Sequence, residues 1–487
     1  MLFNSYIFVF LFLPLTLFGY YMFNRFRQYK LANLFLIGMS FWFYGYFNQS
    51  YLLIICGSIA GNFLISKILE WFSQKQNTRK IVLIIGICAN AVVIFYFKYY
   101  DFFLENVNSI FRKSFELKNI VLPLGISFFT FQQISYLVDS YRGETKDYAF
   151  DEYALFVSFF PQLIAGPIVL HGEVIPQFRN RKNRRIIPEN FSKGMYIFAL
   201  GLFKKVIIAD TFGKAVTYGY GTIETLSSLE ALIVSLSYTF QLYFDFSGYC
   251  DMAIGIGNMF NIELPQNFNS PYKSVSITDF WSRWHMSLTR FLRTYIYIPL
   301  GGNRKGKVRT YINIMLVYLV SGLWHGANWT YLLWGGVHGV LNCLNRLFKK
   351  SWEKANNITQ WVITFMTVNI LWILFKADTV EEAILFIKRL CCLSSFCISE
   401  ELYKCFDLVE IRFLEREIPF LQYIYSAITG LHLWLFILGA FLVILNFRNS
   451  KEIEFKPTPA RALITSLFIV WSVVSFAGIS TFLYFDF

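Results

Sequence analysis

Long apolar runs constrain the fold of this 487-residue chain more than any other feature of its sequence. Each run is close to the roughly 20 residues that a helix needs to cross the hydrocarbon core of a bilayer. With 56% hydrophobic and 15% charged residues, the chain also lacks the polar surface that a soluble globule of its size needs. The runs cover residues 1–21, 31–47, 51–69, 81–97, 193–209, 229–250, 310–331, 357–375, 431–447 and 463–482.

We therefore predict an all-α polytopic membrane protein that forms a single domain over residues 1–487. Weaker apolar runs at 121–138, 152–170 and 332–345 can cross, re-enter or lie buried, which gives about 11–13 membrane helices. The sequence contains no internal repeat, no low-complexity tract and no long soluble insertion.

The distribution of charge predicts the orientation in the membrane. The first run lacks a preceding basic segment and is followed at once by a second run, so it is not a cleavable signal. Arg25, Arg27 and Lys30 follow it, and the positive-inside rule therefore places the N-terminus outside the cell membrane. The net charge of +13 is concentrated in loops that we expect to be cytosolic and to face anionic lipid headgroups rather than nucleic acid. These basic loops are Lys75 to Lys80, Arg179 to Arg185, Arg283 to Arg309 and Arg346 to Lys354.

Residues 261–309 are too polar to span a bilayer but carry aromatic side chains at helical spacing. Ser276 followed by Asp279 is typical of a helix start, with the serine as N-cap and the acid reaching back. We predict one continuous helix from there to Pro299, partly sunk in the inner membrane interface. Its apolar face carries Trp281, Trp284, His285, Leu288 and Leu292, and its basic face carries Arg283, Arg290 and Arg293.

His325 is the strongest candidate for chemistry among the five histidines. A continuous helix from Arg309, rising about 1.5 Å per residue, would carry it about 24 Å into the membrane. A charged imidazolium is costly there, so we expect a neutral ring, which could act as a general base towards a hydroxyl. The alternative is a structural histidine in a close helix contact, for which Gly322 and Gly326 are typical. His338 is expected to be structural.

His285 is predicted near the inner face, where the neighbouring arginines could dock a phosphate-bearing donor. The alternative is an interfacial helix that only contacts lipid headgroups. Asp245 and Asp251 need partners if they are buried, such as an arginine of this helix, or could line a polar tunnel or a transporter's proton path. Neither the histidines nor the eight cysteines have metal-ligand spacing, so we predict no metal and no bound cofactor.

Tyr484 lies close to the C-terminus in Thr-Phe-Leu-Tyr-Phe-Asp-Phe. It is either an aromatic residue at the membrane surface or a phenol that accepts and passes on an acyl group once a base removes its proton.

Several segments, taken together and in this order, resemble the membrane-bound O-acyltransferases, most closely the alginate O-acetyltransferase branch. They span about 120–345 of the sequence, and the Tyr297 to Gly302 segment favours the acetyl branch over the D-alanyl branch. The segments are Ser127 to Tyr136, Phe160 to Ile168, Tyr243 to Tyr249, Phe280 to His285, Tyr297 to Gly302 and Leu323 to Thr330.

The resemblance implies membrane helices ringed around a central tunnel, with interfacial and re-entrant helices, and acetyl-CoA as a cytosolic acyl donor. It further implies that His325 is catalytic with His285 as a second important histidine, and that Tyr484 is a possible acyl relay. Expected partners are an extracytoplasmic SGNH-type acetyltransferase or esterase and a polysaccharide synthesis or export complex. We assign donor-binding or tunnel positions to Arg283, Trp284, Arg290, Asn328 and Asp245.

The predicted function is O-acetylation of an envelope polysaccharide such as alginate, cellulose or peptidoglycan. The rivals are a D-alanyl transferase for teichoic acid, a transporter, and a non-enzymatic scaffold of polysaccharide export. A transporter predicts inverted halves or paired broken helices, and the sequence has no such symmetry.

Overall fold

The computed structural model describes residues 1–145, 147–392, 396–418, 420, 423, 425, 428–447, 449–450, 452, 454–476 and 482–483. These residues form helices and connecting loops without a β-strand, so the prediction of an all-α polytopic membrane fold is confirmed.

The α-helices are numbered here in chain order. The first group is α1 (Leu13–Arg25), α2 (Tyr29–Gly45), α3 (Ser50–Trp71), α4 (Gln76–Ile94), α5 (Tyr100–Phe111), α6 (Ile126–Arg142), α7 (Phe150–Ser158), α8 (Phe160–Leu163), α9 (His171–Arg179), α10 (Pro188–Phe203), α11 (Asp210–Gly221) and α12 (Ser228–Met259). The second is α13 (Ile277–Arg283), α14 (Met286–Leu292), α15 (Lys307–His325), α16 (Trp329–Leu347), α17 (Lys349–Trp352), α18 (Asn357–Lys376), α19 (Val380–Cys391), α20 (Glu400–Lys404), α21 (Val409–Glu417), α22 (Leu431–Asn446) and α23 (Pro459–Val474). Wider π-helical turns at Phe8–Phe12, Phe95–Tyr99, Lys204–Ala209 and Arg293–Tyr297 adjoin α1, α4, α10 and α14.

Four continuous helical stretches in the described part are long and apolar enough to cross a membrane. They are Phe8–Arg25, Ser50–Trp71, Gln76–Phe111 and Asn357–Lys376, and α22 and α23 are shorter apolar helices. The total of about 11–13 membrane helices and the ring around a tunnel stay predictions.

Two of the basic loops, Lys75 to Lys80 and Arg179 to Arg185, lie at one end of the helix assembly. The Arg184 guanidinium lies over the Tyr29 ring, and Arg79 donates to the carbonyl groups of Ser140 and Tyr141. At the same end, Arg179 pairs with Glu152. We call this the basic end. At the opposite end, loops that follow other helices meet, as where the Asn328 side chain donates to the Asp378 carbonyl.

Two helix pairs approach closely through glycine. A Cβ built on Gly201 of α10 would lie 2.5 Å from the Gly248 carbonyl oxygen of α12. In the same way, a Cβ on Gly335 of α16 would lie 2.4 Å from the Tyr318 carbonyl oxygen of α15. Small residues let membrane helices pack backbone to backbone. The glycines around His325 therefore do serve helix packing.

The predicted continuous helix from Ser276 to Pro299 is wrong. Ser276 is the N-cap as expected, and its hydroxyl accepts from the Asp279 N–H. However, α13 ends at Arg283, and His285 adopts a left-handed backbone with φ 45° before α14 begins. The break turns the chain so that both halves pack inside the protein, which helical periodicity alone does not reveal.

The arginine partners suggested for Asp245 and Asp251 are also wrong. Asp245 pairs with Lys205 at 2.6 Å, and Asp251 pairs with Lys204 at 2.6 Å. These lysines belong to the π-helical turn after α10, which packs along α12. Each of these buried carboxylates therefore has its counter-charge on a neighbouring apolar helix. Burying a lysine costs the least free energy when an acidic side chain pairs with it.

The α15–α16 contact predicts that Gly335→Ala destabilises the protein by about 1–3 kcal/mol, because the new methyl group meets a backbone carbonyl. Gly336→Ala is the matched control, since its nearest neighbour would be the end of the Leu319 side chain at 3.7 Å. The measurement is the temperature at which the detergent-solubilised protein loses its monodisperse peak in size-exclusion chromatography. Equal temperatures for the two variants would contradict the packing described here.

Candidate active site

His325 is the last residue of α15, not a residue inside a helix as its apolar neighbourhood predicted. The helix is continuous from Lys307, so the predicted run from the basic loop to this histidine is present. Gly326 then takes an extended conformation, and α16 begins at Trp329. His325 is 2% exposed, which places a helix end within the protein interior.

Side chains from the neighbouring π-helical turn cap this buried helix end. The Lys98 ammonium donates to the carbonyl oxygens of Trp324 (2.6 Å) and His325 (3.0 Å). The Tyr99 hydroxyl donates to the Leu323 carbonyl at 2.7 Å. The last carbonyls of a helix lack intrahelical partners and carry partial negative charge, which a cation stabilises. Lys98 thereby fixes the position of the His325 backbone.

Sequence reasoning missed Lys98. It directly follows the apolar run 81–97 and lies within the continuous helical stretch Gln76–Phe111 of the structure, where it is partly buried. A lysine so placed was itself a signal, because an ionisable residue in a membrane segment is costly and needs a partner.

His285 lies at the break between α13 and α14 and is 1% exposed. Its Nδ1 is 3.3 Å from the Asn267 side-chain oxygen, which also accepts from the N–H (3.1 Å) and hydroxyl (2.6 Å) of Ser287. The Asn267 carbonyl oxygen accepts from the Met286 N–H at 2.9 Å. Asn267 therefore holds the first turn after the break and faces the His285 ring, a role that the sequence pattern did not indicate.

The two histidines meet in an aromatic enclosure. Their ring centroids are 6.5 Å apart, and the Trp324 ring contacts both. Phe246 of α12 packs on His285 at 4.8 Å, and Phe375 of α18 packs on His325 at 5.1 Å. Residues forty positions apart thus form one buried pair, because two chain interruptions face each other.

The residues that directly follow each member of this pair in the sequence line a pocket. At the basic end, a pocket of about 450 Å³ is lined by Met286 and Ser287, which directly follow His285, and by Glu173, Gln266 and Arg290. At the opposite end, a pocket of about 370 Å³ is lined by Lys98 and by Gly326 to Asn328, which directly follow His325. Neither His285 nor His325 is among the residues that line these two pockets.

The predicted basic surroundings of His285 are wrong, because its neighbours are aromatic. Arg290 instead pairs with Glu173 on the wall of the first pocket and donates to the Ile168 carbonyl. Arg283 pairs with Asp279 at 2.8 Å. Trp284 is buried against Trp372, with ring centroids 5.1 Å apart. Of these three, only Arg290 lines a pocket beside a histidine.

The remaining candidates occupy distinct places. Asn328 caps α16, where its side-chain oxygen accepts from the Thr330 N–H, and it lines the second pocket. His338 accepts a hydrogen bond from the Trp281 indole at 3.2 Å, as a structural histidine would. Tyr484 lies outside the described residues.

Asp245 contacts the C-terminal segment. In addition to Lys205, it accepts from the Leu483 N–H at 3.0 Å. The adjacent Phe482 is 1% exposed and packs on Tyr249 with ring centroids 4.7 Å apart. Since Phe246 on the same turn of α12 touches His285, Phe482 and Leu483 are anchored on a helix that contacts the histidine pair.

A separate group could in principle hold a metal. Ligand atoms of Asp139, Glu144 and His171 lie within 4.8 Å of one another at the basic end. The Asp139 oxygens, however, already accept from Arg142 at 3.2 Å and from Tyr295 at 2.7 Å. These contacts describe a structural hydrogen-bond network, and we assign no metal to it.

The sequence profile of the membrane-bound O-acyltransferase family matches residues 41–378, which include both histidines and both pockets. The chain belongs to this family. It is therefore an O-acyltransferase, as predicted.

Curated relatives agree with this family assignment. The chain is 44% identical to a peptidoglycan O-acetyltransferase of Helicobacter pylori, over 80% of this chain and 79% of the relative. It is 40% identical to a probable alginate O-acetylase of Pseudomonas aeruginosa, over 79% and 73% of the two chains. A teichoic acid D-alanyltransferase of Streptococcus thermophilus is more distant, with 29% identity over 52% of this chain and 68% of the relative.

The cap on α15 predicts that Lys98→Met lowers kcat for acyl transfer by at least about tenfold while changing KM less, because His325 loses its fixed backbone position. Lys98→Gln, which keeps a donor, should recover part of the rate. Lys113→Met is the matched control, since Lys113 is exposed beyond α5. Radiolabelled acyl transfer by purified protein of equal monodispersity provides the measurement, and an unchanged kcat in Lys98→Met would refute the positioning role.

Proposed function

We propose that this protein is a bacterial cell-membrane O-acetyltransferase that takes acetyl groups from cytosolic acetyl-CoA and delivers them outward for O-acetylation of an envelope polysaccharide. The observation that carries the proposal is the buried His285–His325 pair, each member of which is directly followed in the sequence by residues that line a pocket. Relatives named for O-acetylation of peptidoglycan and alginate support the acetyl group and the polysaccharide class. The weaker D-alanyl relative makes a teichoic acid transferase the second choice.

The orientation follows from the positive-inside rule. Loops rich in arginine and lysine meet at the basic end, so this end is cytosolic. The stretch Phe8–Arg25 runs towards it, and the N-terminus therefore lies outside. The pocket beside Met286 and Ser287 then opens to the cytosol, and the pocket beside Gly326 and Asn328 opens outward.

In the proposed reaction the thioester enters from the cytosolic pocket, past Arg290, and reaches His325. The neutral imidazole of His325 takes the proton of an acceptor hydroxyl, and the oxygen of that hydroxyl attacks the acetyl carbonyl carbon. The C–O ester bond forms as the C–S bond breaks, and the proton passes to the departing sulfur to give the free thiol of coenzyme A. His285, fixed by Asn267, orients the thioester carbonyl against His325.

The acceptor hydroxyl in this proposal is that of Tyr484. The support is the anchoring of Phe482 and Leu483 on α12, where the Asp245–Lys205 pair holds the Leu483 N–H. Tyr484 is the next residue in the sequence. An extracytoplasmic SGNH-type acetyltransferase would then take the acetyl group from the phenol ester and pass it to sugar hydroxyls, within a polysaccharide synthesis or export complex.

His325→Ala is expected to abolish acetylation of the polymer and to reduce acetyl transfer from radiolabelled acetyl-CoA by about 10²–10⁴-fold, the range for loss of a general base. His338→Gln is the control, because this histidine is also buried but accepts a hydrogen bond from the Trp281 indole and has no assigned role in the reaction. Both variants must be present in membranes at the wild-type level. Full acetylation with His325→Ala would exclude the catalytic assignment.

Tyr484→Phe tests the relay separately. It removes only the hydroxyl, so we expect loss of polymer acetate while the amount of folded protein stays unchanged. Tyr6→Phe provides the control for loss of an aromatic hydroxyl, since Tyr6 donates to the Val473 carbonyl on the protein surface. Normal polymer acetate in Tyr484→Phe, measured after alkaline release, would leave the tail as an anchor alone.

A further inference from the structure

A long groove runs along the N-terminal helix, away from the histidine pair. It has a volume of about 1670 Å³, which exceeds the usual 300–1,000 Å³ of small-molecule sites. It lies between α1 and α10, beside α23. Its apolar wall consists of Leu13, Leu17 and Phe18 of α1, Phe191, Met195 and Phe198 of α10, and Ile469 of α23.

Arginines gather at one end of this groove only. Arg25 is the last residue of α1 and Arg27 follows it, and Arg181, Arg184 and Arg185 come from the loop between α9 and α10. Arg184 is held over the Tyr29 ring at 4.2 Å and donates to the Phe178 carbonyl. Within the described chain, no carboxylate lies at ion-pair distance from any of the five. The groove therefore joins a cationic mouth to an apolar channel.

The dimensions match one class of ligand. The groove extends along the helix from Val9 to Arg25, which at about 1.5 Å per residue is about 24 Å. One leaflet accounts for half of the roughly 30 Å hydrocarbon core, so a complete acyl chain and its headgroup fit this length. Guanidinium groups bind phosphate through paired hydrogen bonds, and anionic lipids concentrate at basic membrane faces.

We propose that this groove is a specific binding site for one anionic glycerophospholipid, with the phosphate among the arginines and an acyl chain between α1 and α10. Charge complementarity at the mouth selects an anionic headgroup over a zwitterionic one. The bound lipid fills the space between α1 and α10, and so it stabilises the N-terminal part of the fold. The site is independent of the acyl-transfer function proposed above.

Native mass spectrometry of the full-length, detergent-purified protein tests the proposal with dioleoyl phosphatidylglycerol and dioleoyl phosphatidylcholine as probes. The wild type should retain one phosphatidylglycerol in preference to phosphatidylcholine. The double variant Arg181→Gln/Arg185→Gln should weaken phosphatidylglycerol binding by about 25-fold, because each arginine contributes a factor of about five. Arg304→Gln/Arg309→Gln is the control, because it removes two exposed arginines from another basic loop that does not line the groove.

A second variant separates a lipid from other phosphate ligands. Met195→Trp narrows the apolar channel and leaves the arginines in place, so it should reduce phosphatidylglycerol binding as well. Equal lipid binding by the two arginine pairs would overturn the proposal. It would also be overturned if coenzyme A displaced phosphatidylglycerol from the wild type and bound to Met195→Trp as strongly as to the wild type. The same holds if the groove variants changed the oligomeric state of the protein without changing the amount of lipid that it retains.

Discussion

A helix that ends inside a membrane protein leaves carbonyl groups without intrahelical partners, and the structure around His325 depends on satisfying them. The end of α15 is stabilised by Lys98 and Tyr99, which together take up the carbonyls of three successive residues. Without these donors, each buried carbonyl would cost free energy comparable to a lost hydrogen bond. The cap therefore allows the end of α15, and the extended Gly326 that follows it, to lie in the interior of the protein.

A second interruption faces the first. His285 occupies the left-handed residue between α13 and α14, and Asn267 satisfies the turn that follows. Regular helices would present a wall of side chains between the two ends of the protein, whereas each of these two interruptions is directly followed by residues that line a pocket. The chemistry proposed for this protein requires such an arrangement, since a donor and an acceptor must reach one imidazole from opposite directions.

The sequence was a good guide to individual residues and a poor guide to their neighbours. The N-cap at Ser276 was predicted, and close packing through the glycines around His325 was one of the two alternatives, because both depend on local chemistry. The helix break at His285 was missed because its cause is Asn267, a partner from outside the helix. The lysine partners of Asp245 and Asp251 were missed because pairing between helices depends on which faces meet.

The sequence by itself determined that this chain is an all-α membrane protein, because the length of an apolar run is a property of the chain alone. It also identified His285 and His325 as candidates for chemistry, because the cost of burying an ionisable group does not depend on the tertiary structure. Only the tertiary structure decided that His285 and His325 form one pair, that Lys98 holds the helix end, and that Asp245 receives the C-terminal segment. The physical reason is that these contacts join residues far apart in sequence. Their geometry is set by how helices pack and where they end, which no local pattern encodes.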